Sequence, residues 1–366
     1  MRKEKNNAIY FWKFVYAFFV MYYHFYEATE EHFLSGRYGV EFYLLTAGAF
    51  LFMAYERQTS AGEGYQSPYS FLKKRFSRFF PWAFTGLLFA AAATYGFLRP
   101  VGSFEKLVDA LSNDIWEILL IKMNGMNYNR PLLNGPAWTL SSMLITQFFI
   151  WSCLYHFREK FIDLLMPLTI VVGLGMWRFI DDASVKIWIG FTTFGTFRAW
   201  IVICTGYYAL RMAYHLKGIH FNNKGKLVLT AIELLCHLFA IWVMLSKNTR
   251  YYQWCCLLVF IIATAIELSG HSRFNDFLNK IPFIGFLGEL SMCIYLTHGT
   301  VWKIWLFRYP DPYEMYSHMV SFTLAVFASS LGMYYAVKYG TKLWKRLMNA
   351  AKNTLTYDEQ KMITNV

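Results

Sequence analysis

The chain is poor in charge. Only 16% of its 366 residues are Asp, Glu, Lys or Arg, against about 25% in an average soluble domain. That deficit points away from an ordinary soluble fold and toward a membrane protein. Cysteine is sparse and unpatterned. Cys153, Cys204, Cys236, Cys255, Cys256 and Cys293 all lie in or beside apolar runs, and none forms a CxxC pair. A thiolate metal site and a disulfide framework are both disfavoured, and the six read as small buried apolar side chains. No small-residue cleavage pattern follows the first apolar run, so that run reads as a retained helix and not as a signal peptide. The sequence shows no internal repeat, no low-complexity tract and no second domain. It also lacks the paired interrupted helices, in matching halves, that mark inverted-repeat transporters.

What is present is apolar and aromatic: 56% hydrophobic residues and 20% Phe, Trp and Tyr. Apolar runs of about 17 to 25 residues recur, each long enough for a bilayer core of about 30 Å. They fall near 8–26, 38–55, 80–98, 137–156, 162–178, 196–214, 226–245, 252–269, 284–305 and 316–338. The pattern predicts an all-α polytopic membrane protein with about ten transmembrane helices. The stretch 183–197 is also apolar and reads as a surface or re-entrant piece. With loops assigned alternately from a cytoplasmic N-terminus, most of the 35 basic residues fall on the cytoplasmic side, among them Arg57, Lys73, Lys74, Arg158, Lys217 and Lys226. The positive-inside rule then places both termini in the cytoplasm. The net charge of +12 is thereby a matter of topology and anionic headgroups, and no nucleic-acid partner is expected. The chain divides into a membrane domain, 1–340, and a basic cytoplasmic tail, 341–366, whose TKLWKRLMNAAK suits an amphipathic helix on the inner leaflet. An outer segment, 99–136, holds DALSNDIWEILLIKM, spaced for a surface helix, and the loop NGMNYNRPLLNGP.

Polar groups inside apolar runs are costly and therefore informative. Lys13 and His24 bound KFVYAFFVMYYH, and eleven residues turn a helix through about 1100°, so both lie on one face, separated by about 16 Å along the axis. Lys13 belongs at the cytoplasmic end and His24 in the outer half. Glu41, just inside the outer end of the second run, is expected at a depth similar to that of His24. A carboxylate beside an imidazole orients its tautomer and raises its basicity. The following Ala47, Gly48 and Ala49 suit a tight helix contact. Arg75 and Arg78 share a face before Pro81, on the side of Lys13, and guanidinium groups bind phosphate through a planar fork. Trp138, Ser141 and Ser142 share a face of the fourth run. Ser291, Tyr295 and His298 share one in the ninth, which puts a second histidine in the outer half. Each of these also has a plain reading, as snorkelling anchor, positive-inside charge or aromatic belt.

Taken in order, these stretches resemble the acyltransferase family 3 membrane proteins. The family's Arg-x10-His element of the first helix stands here as Lys13-x10-His24. Its Gly-Val-Asp/Glu-Phe-Phe stretch is matched by Gly39, Val40, Glu41 and Phe42, and the Ser-Gly-Phe-Leu that follows, more loosely, by Ala47 to Leu51. Arg-x-x-Arg-x-x-Pro is matched by Arg75, Arg78 and Pro81, and Trp-x-Leu-Ser by Trp138, Leu140 and Ser141. A late Ser…Tyr-Leu-x-His is matched by Ser291, Tyr295, Leu296 and His298. Two positions depart. Lys13 replaces arginine, keeping the charge and losing the fork, and Met143 stands where many members carry glutamate.

The resemblance implies transfer of an acyl group, usually acetyl, from a cytoplasmic coenzyme A thioester to a hydroxyl of a surface or lipid-linked glycan, at the cytoplasmic membrane of a bacterium. In that reading Lys13, Arg75 and Arg78 hold the donor's phosphates. His24 is the general base or transient acyl acceptor, with Glu41 orienting it. Trp138, Ser141, Tyr295 and His298 line the acceptor side, and the loop 123–136 selects the sugar. Acetyl-CoA is then a substrate; no permanently bound cofactor and no metal are expected. The alternative is a transporter or flippase for a lipid-linked or small anionic solute.

Overall fold

The computed structural model describes residues 6–26, 35–60, 65–98, 108, 112, 114–125, 132–180, 185–246 and 253–364. Among them the architecture is all-helical. The long helices are α1 (Asn7–Tyr26), α2 (Gly39–Ser60), α3 (Pro68–Ala93), α4 (Trp138–Lys160), α5 (Met166–Trp177), α6 (Phe194–Lys217), α7 (Asn223–Leu245) and α8 (Gln253–Ser269). The short α9 (Arg273–Leu278), then α10 (Ile284–Arg308), the short α11 (Pro312–Ser317) and α12 (Met319–Thr364) complete the chain.

Local chemistry sets the starts. Ser67 caps α3, its hydroxyl accepting from the Ser70 N–H at 3.3 Å, with Pro68 in the first turn where no N–H is needed. Asn222 caps α7 through the Gly225 N–H at 2.8 Å, and Thr193 caps α6. The stretch 185–193, read from the sequence as surface or re-entrant, is a turn closed by a single bridge between Trp188 and Thr193, after which α6 begins. Of the predicted surface helix, 114–118 is helical; 109–111 and 113, like 126–131 of the loop beyond, lie outside the described residues. The backbone leaves helical geometry at Phe157, near the end of α4.

Among the described residues, five helical stretches are long and apolar enough to cross a membrane: Gly36–Gln58, Pro68–Leu98, Gly135–Trp177, Asn223–Leu245 and Met319–Leu347. Helix α1 lacks such a window because Tyr, Trp, Lys13 and His24 dilute it, although 20% of the whole sequence is aromatic and such rings favour the membrane interface. Most of the interior is one cluster of apolar side chains from Ile9 to Val337, with two small clusters beside it, Ala8, Leu278 and Ile284 in one and Leu87, Ala90 and Leu133 in the other.

Two close approaches position the rest. Helices α2 and α6 run parallel in contact: Gly48 lies on the backbone of Ile203, and a Cβ on Gly206 would sit 2.5 Å from the Leu45 carbonyl oxygen. The contact anticipated from Ala47, Gly48 and Ala49 is made here. Helices α1 and α10 also run parallel, with Tyr10 seated on Gly288 at one end and His24 against His298 at the other.

Candidate functional site

The turn before α2 presses on α1 through glycines. Gly36 lies on the Phe19 carbonyl and Gly39 against Tyr16 and Val20. Helix α2 therefore begins well inside the His24 end of α1. Glu41 stands level with about Tyr16, roughly 12 Å along the axis from His24, and not at the depth of His24 as its place in the sequence suggested. Its carboxylate accepts from Arg198 Nε at 2.7 Å and from Nη2 of the same guanidinium, and both side chains are 2% exposed. The guanidinium also faces the rings of Trp177 at 5.1 Å and Trp138 at 5.9 Å. Arg198 was not singled out from the sequence; its signal was a cation inside an apolar run.

His24 and His298 come together. Their rings stack at 5.2 Å, tilted 26°, with Trp302 at 6.3 Å from His24. His298 is fully buried, and its Nδ1 lies 3.1 Å from the Ile294 carbonyl oxygen. A carbonyl can only accept, so Nδ1 carries the proton and Nε2 keeps a lone pair. Nε2 has no hydrogen-bond partner among the described residues. One turn along α10, Tyr295 lies 5.8 Å from the His298 ring and 5.8 Å from Tyr43. The Tyr43 hydroxyl donates to the Lys13 carbonyl at 2.5 Å. Polar groups thus follow one another from Lys13 past Tyr43, Tyr295 and His298 to His24.

At the other end of α1, the Lys13 ammonium sits 5.6 Å from the Phe50 ring and 6.0 Å from that of Tyr43. It lies within electrostatic reach of Arg78, and Arg78 within reach of Arg75. Arg75 rests on the Phe71 ring at 5.2 Å. These three are gathered on one side, as the alternating direction of the helices implied. Ser141 is otherwise occupied: its hydroxyl accepts from the Met123 N–H at 3.0 Å. Thr193 and Thr196 donate to the Met123 carbonyl at 3.0 and 2.8 Å, so the Lys122–Asn124 turn is clamped between α4 and α6. Trp138 faces Arg198, while Met143 lines an apolar wall with Tyr43 and Tyr295.

The segment before α4 is organised by a buried carboxylate. Glu117 accepts from the N–H groups of Leu133 at 2.7 Å and Asn134 at 3.1 Å. Asn134 Nδ2 in turn donates to the Leu296 carbonyl at 3.1 Å, tying this segment to α10. Burial outweighs these bonds and pushes Glu117 up to about 7.

A second polar chain, also unforeseen, joins α1 to α7 and α8. The Tyr16 hydroxyl and His237 Nδ1 are 2.7 Å apart, and His237 Nε2 lies 3.0 Å from Glu267. All three are buried, with the Trp12 ring stacked on His237 at 3.9 Å and the Glu233 carboxylate buried nearby. No family model, curated protein or solved structure matches the chain, so the chemistry of this site rests on its own residues.

Proposed function

We propose that the chain is a membrane-embedded O-acyltransferase. It moves an acyl group, acetyl in the simplest case, from a cytoplasmic coenzyme A thioester to a hydroxyl of a cell-surface or lipid-linked glycan. The observation that carries this reading is the two-ended layout of α1. A gathered set of cations, Lys13, Arg75 and Arg78, stands at one end, and a stacked pair, His24 and His298, at the other. The ordered motifs that resemble acyltransferase family 3 support it. In this reading both termini are cytoplasmic, α1 to α8 with α10 and α12 make about ten crossings, and the membrane is a bacterial cytoplasmic membrane.

The chemistry follows from the ends. The cations hold the donor's phosphates while its pantetheine arm extends along α1. At the outer end His24 takes the proton of the acceptor hydroxyl as that oxygen attacks the acyl carbon. A C–O bond forms, the C–S bond breaks, and the proton passes to the departing thiolate. His298 Nε2, with its lone pair uncommitted, accepts a hydrogen bond from the acceptor and orients it. The thioester is already activated, so positioning and a base suffice.

His24→Ala, purified in folded form, should lose at least about 100-fold in glycan acetylation, the usual contribution of a general base. Mass spectrometry of envelope glycans with and without the protein reads the activity. Acetylation at the wild-type rate by His24→Ala would refute the mechanism. A second reading, transport of a small anionic solute, is favoured by the buried Glu233, Glu267 and His237. Protection of the purified protein from thermal unfolding by a coenzyme A thioester separates the two.

A further inference from the structure

A cleft of about 430 Å³ opens between α3, α10 and α12, beside the cations of the donor end. The wall from α3 carries Arg78 and Trp82; the wall from α12 carries Tyr334, Lys338, Thr341 and Lys345. The α12 residues recur every three or four positions, which puts them on one face of that helix. The sequence reading gave Lys345 to a tail lying on the inner leaflet. Helix α12 runs without interruption through 341, and Lys345 also helps to wall the cleft.

The composition of the cleft specifies its ligand. Arg78, Lys338 and Lys345 face a single acid, Glu289, so the space has two positive charges in excess. Lys338 Nζ donates to the Tyr334 hydroxyl at 3.1 Å, and its ammonium lies 5.2 Å from that ring, which fixes the charge at the wall. Trp82 and Tyr334 bring aromatic surface, their centroids 6.3 Å apart. A ligand that satisfies both features carries more than one phosphate and a flat ring. The volume is of the size that takes such a molecule. A phospholipid headgroup offers one phosphodiester and no ring, which leaves half the charge and the aromatic wall unused.

We propose that this cleft binds the nucleotide diphosphate end of the acyl donor, with Lys338 and Lys345 of the last helix gripping its phosphates opposite Arg78 and with Trp82 against the base. This rests on the acyltransferase reading and extends the donor site to a helix that no motif marks. Arg78, common to the cleft and to the Lys13 cluster, joins the two.

The test is binding of coenzyme A and of ADP to the full-length protein in nanodiscs of neutral phosphatidylcholine, repeated in nanodiscs containing phosphatidylglycerol. The variant is Lys338→Gln with Lys345→Gln, both exposed residues whose replacement leaves the core untouched. Loss of two charge-assisted contacts should weaken coenzyme A and ADP at least about tenfold, and Lys338→Arg with Lys345→Arg should restore binding. Unchanged coenzyme A affinity in the glutamine variant overturns the cleft assignment while leaving the donor reading intact. Wild-type protein that binds neither coenzyme A nor ADP in either nanodisc overturns both. Wild-type binding of both nucleotides that disappears in phosphatidylglycerol shows the cleft occupied by headgroups and overturns the nucleotide assignment.

Discussion

Arg198→Met offers the sharpest test of how this interior is held together. The substitution keeps much of the side-chain length and removes the guanidinium. It leaves Glu41, 2% exposed, beside Trp138 and Trp177 without the group that donates to it at 2.7 Å. Stranding one member of a buried ion pair costs about 3 to 5 kcal/mol, whereas replacing both by apolar or neutral groups is often close to neutral. Glu41→Gln alone takes the carboxylate charge from the buried cation and should cost a similar amount. The double variant, Glu41→Gln with Arg198→Met, should cost less than either single change, a coupling of about 3 kcal/mol or more. Detergent-solubilised protein unfolded by heat or by graded SDS, followed by tryptophan fluorescence, reads all four corners of the cycle. Two single changes that each cost under about 1 kcal/mol, or costs that simply add in the double variant, would refute the reasoning.

Three further outcomes are expected. Gly206→Ala puts a methyl 2.5 Å from the Leu45 carbonyl oxygen, and should cost about 1 to 3 kcal/mol through forced separation of α2 and α6, seen as a lower yield of monodisperse protein. Glu117 is held at about 7 against an ordinary 4.5. Its folded-state value is raised, so its contribution is greatest below 4.5 and is lost as pH rises toward 7, by about 3 kcal/mol in all. The melting temperature should therefore fall between pH 5 and pH 8 in the wild type and fall less in Glu117→Gln. His237→Phe keeps a ring under Trp12 but strips partners from Tyr16 and Glu267. It should cost about 1 to 3 kcal/mol per stranded group, part of which Glu267→Gln should recover in the same thermal assay.

The helices were legible because an apolar run of the right length has few other fates. His24 and His298 could be placed in one half of the bundle because helix phase and alternating direction are read one segment at a time. The depth of Glu41 could not, since it depends on Gly36 and Gly39 settling onto the α1 backbone, and two glycines carry no periodic signal. Arg198 and His237 were hidden for a related reason. Each gains its meaning from a partner far away in the chain, Glu41 for one and Tyr16 with Glu267 for the other, and partnership requires knowing which helices are neighbours. The cleft at Lys345 could not be read either, because a basic amphipathic stretch looks alike whether it lies on lipid or walls a cleft.

Helix α12 is 46 residues long, about 69 Å at 1.5 Å per residue, and contains no proline. Near its start Thr323 shares a hydrogen bond at 3.0 Å with the Tyr22 hydroxyl, and Phe322 stacks on Phe25 at 4.6 Å, so it grips α1 on both sides of His24. About 22 Å further on, Lys338 lines the cleft. Between the two it is held against α10 and α3, by Ser330 on Thr297 at 2.9 Å and by Tyr334 on Phe286 and Trp82. One uninterrupted helix thus borders both the cleft and the turn of α1 that carries the histidine.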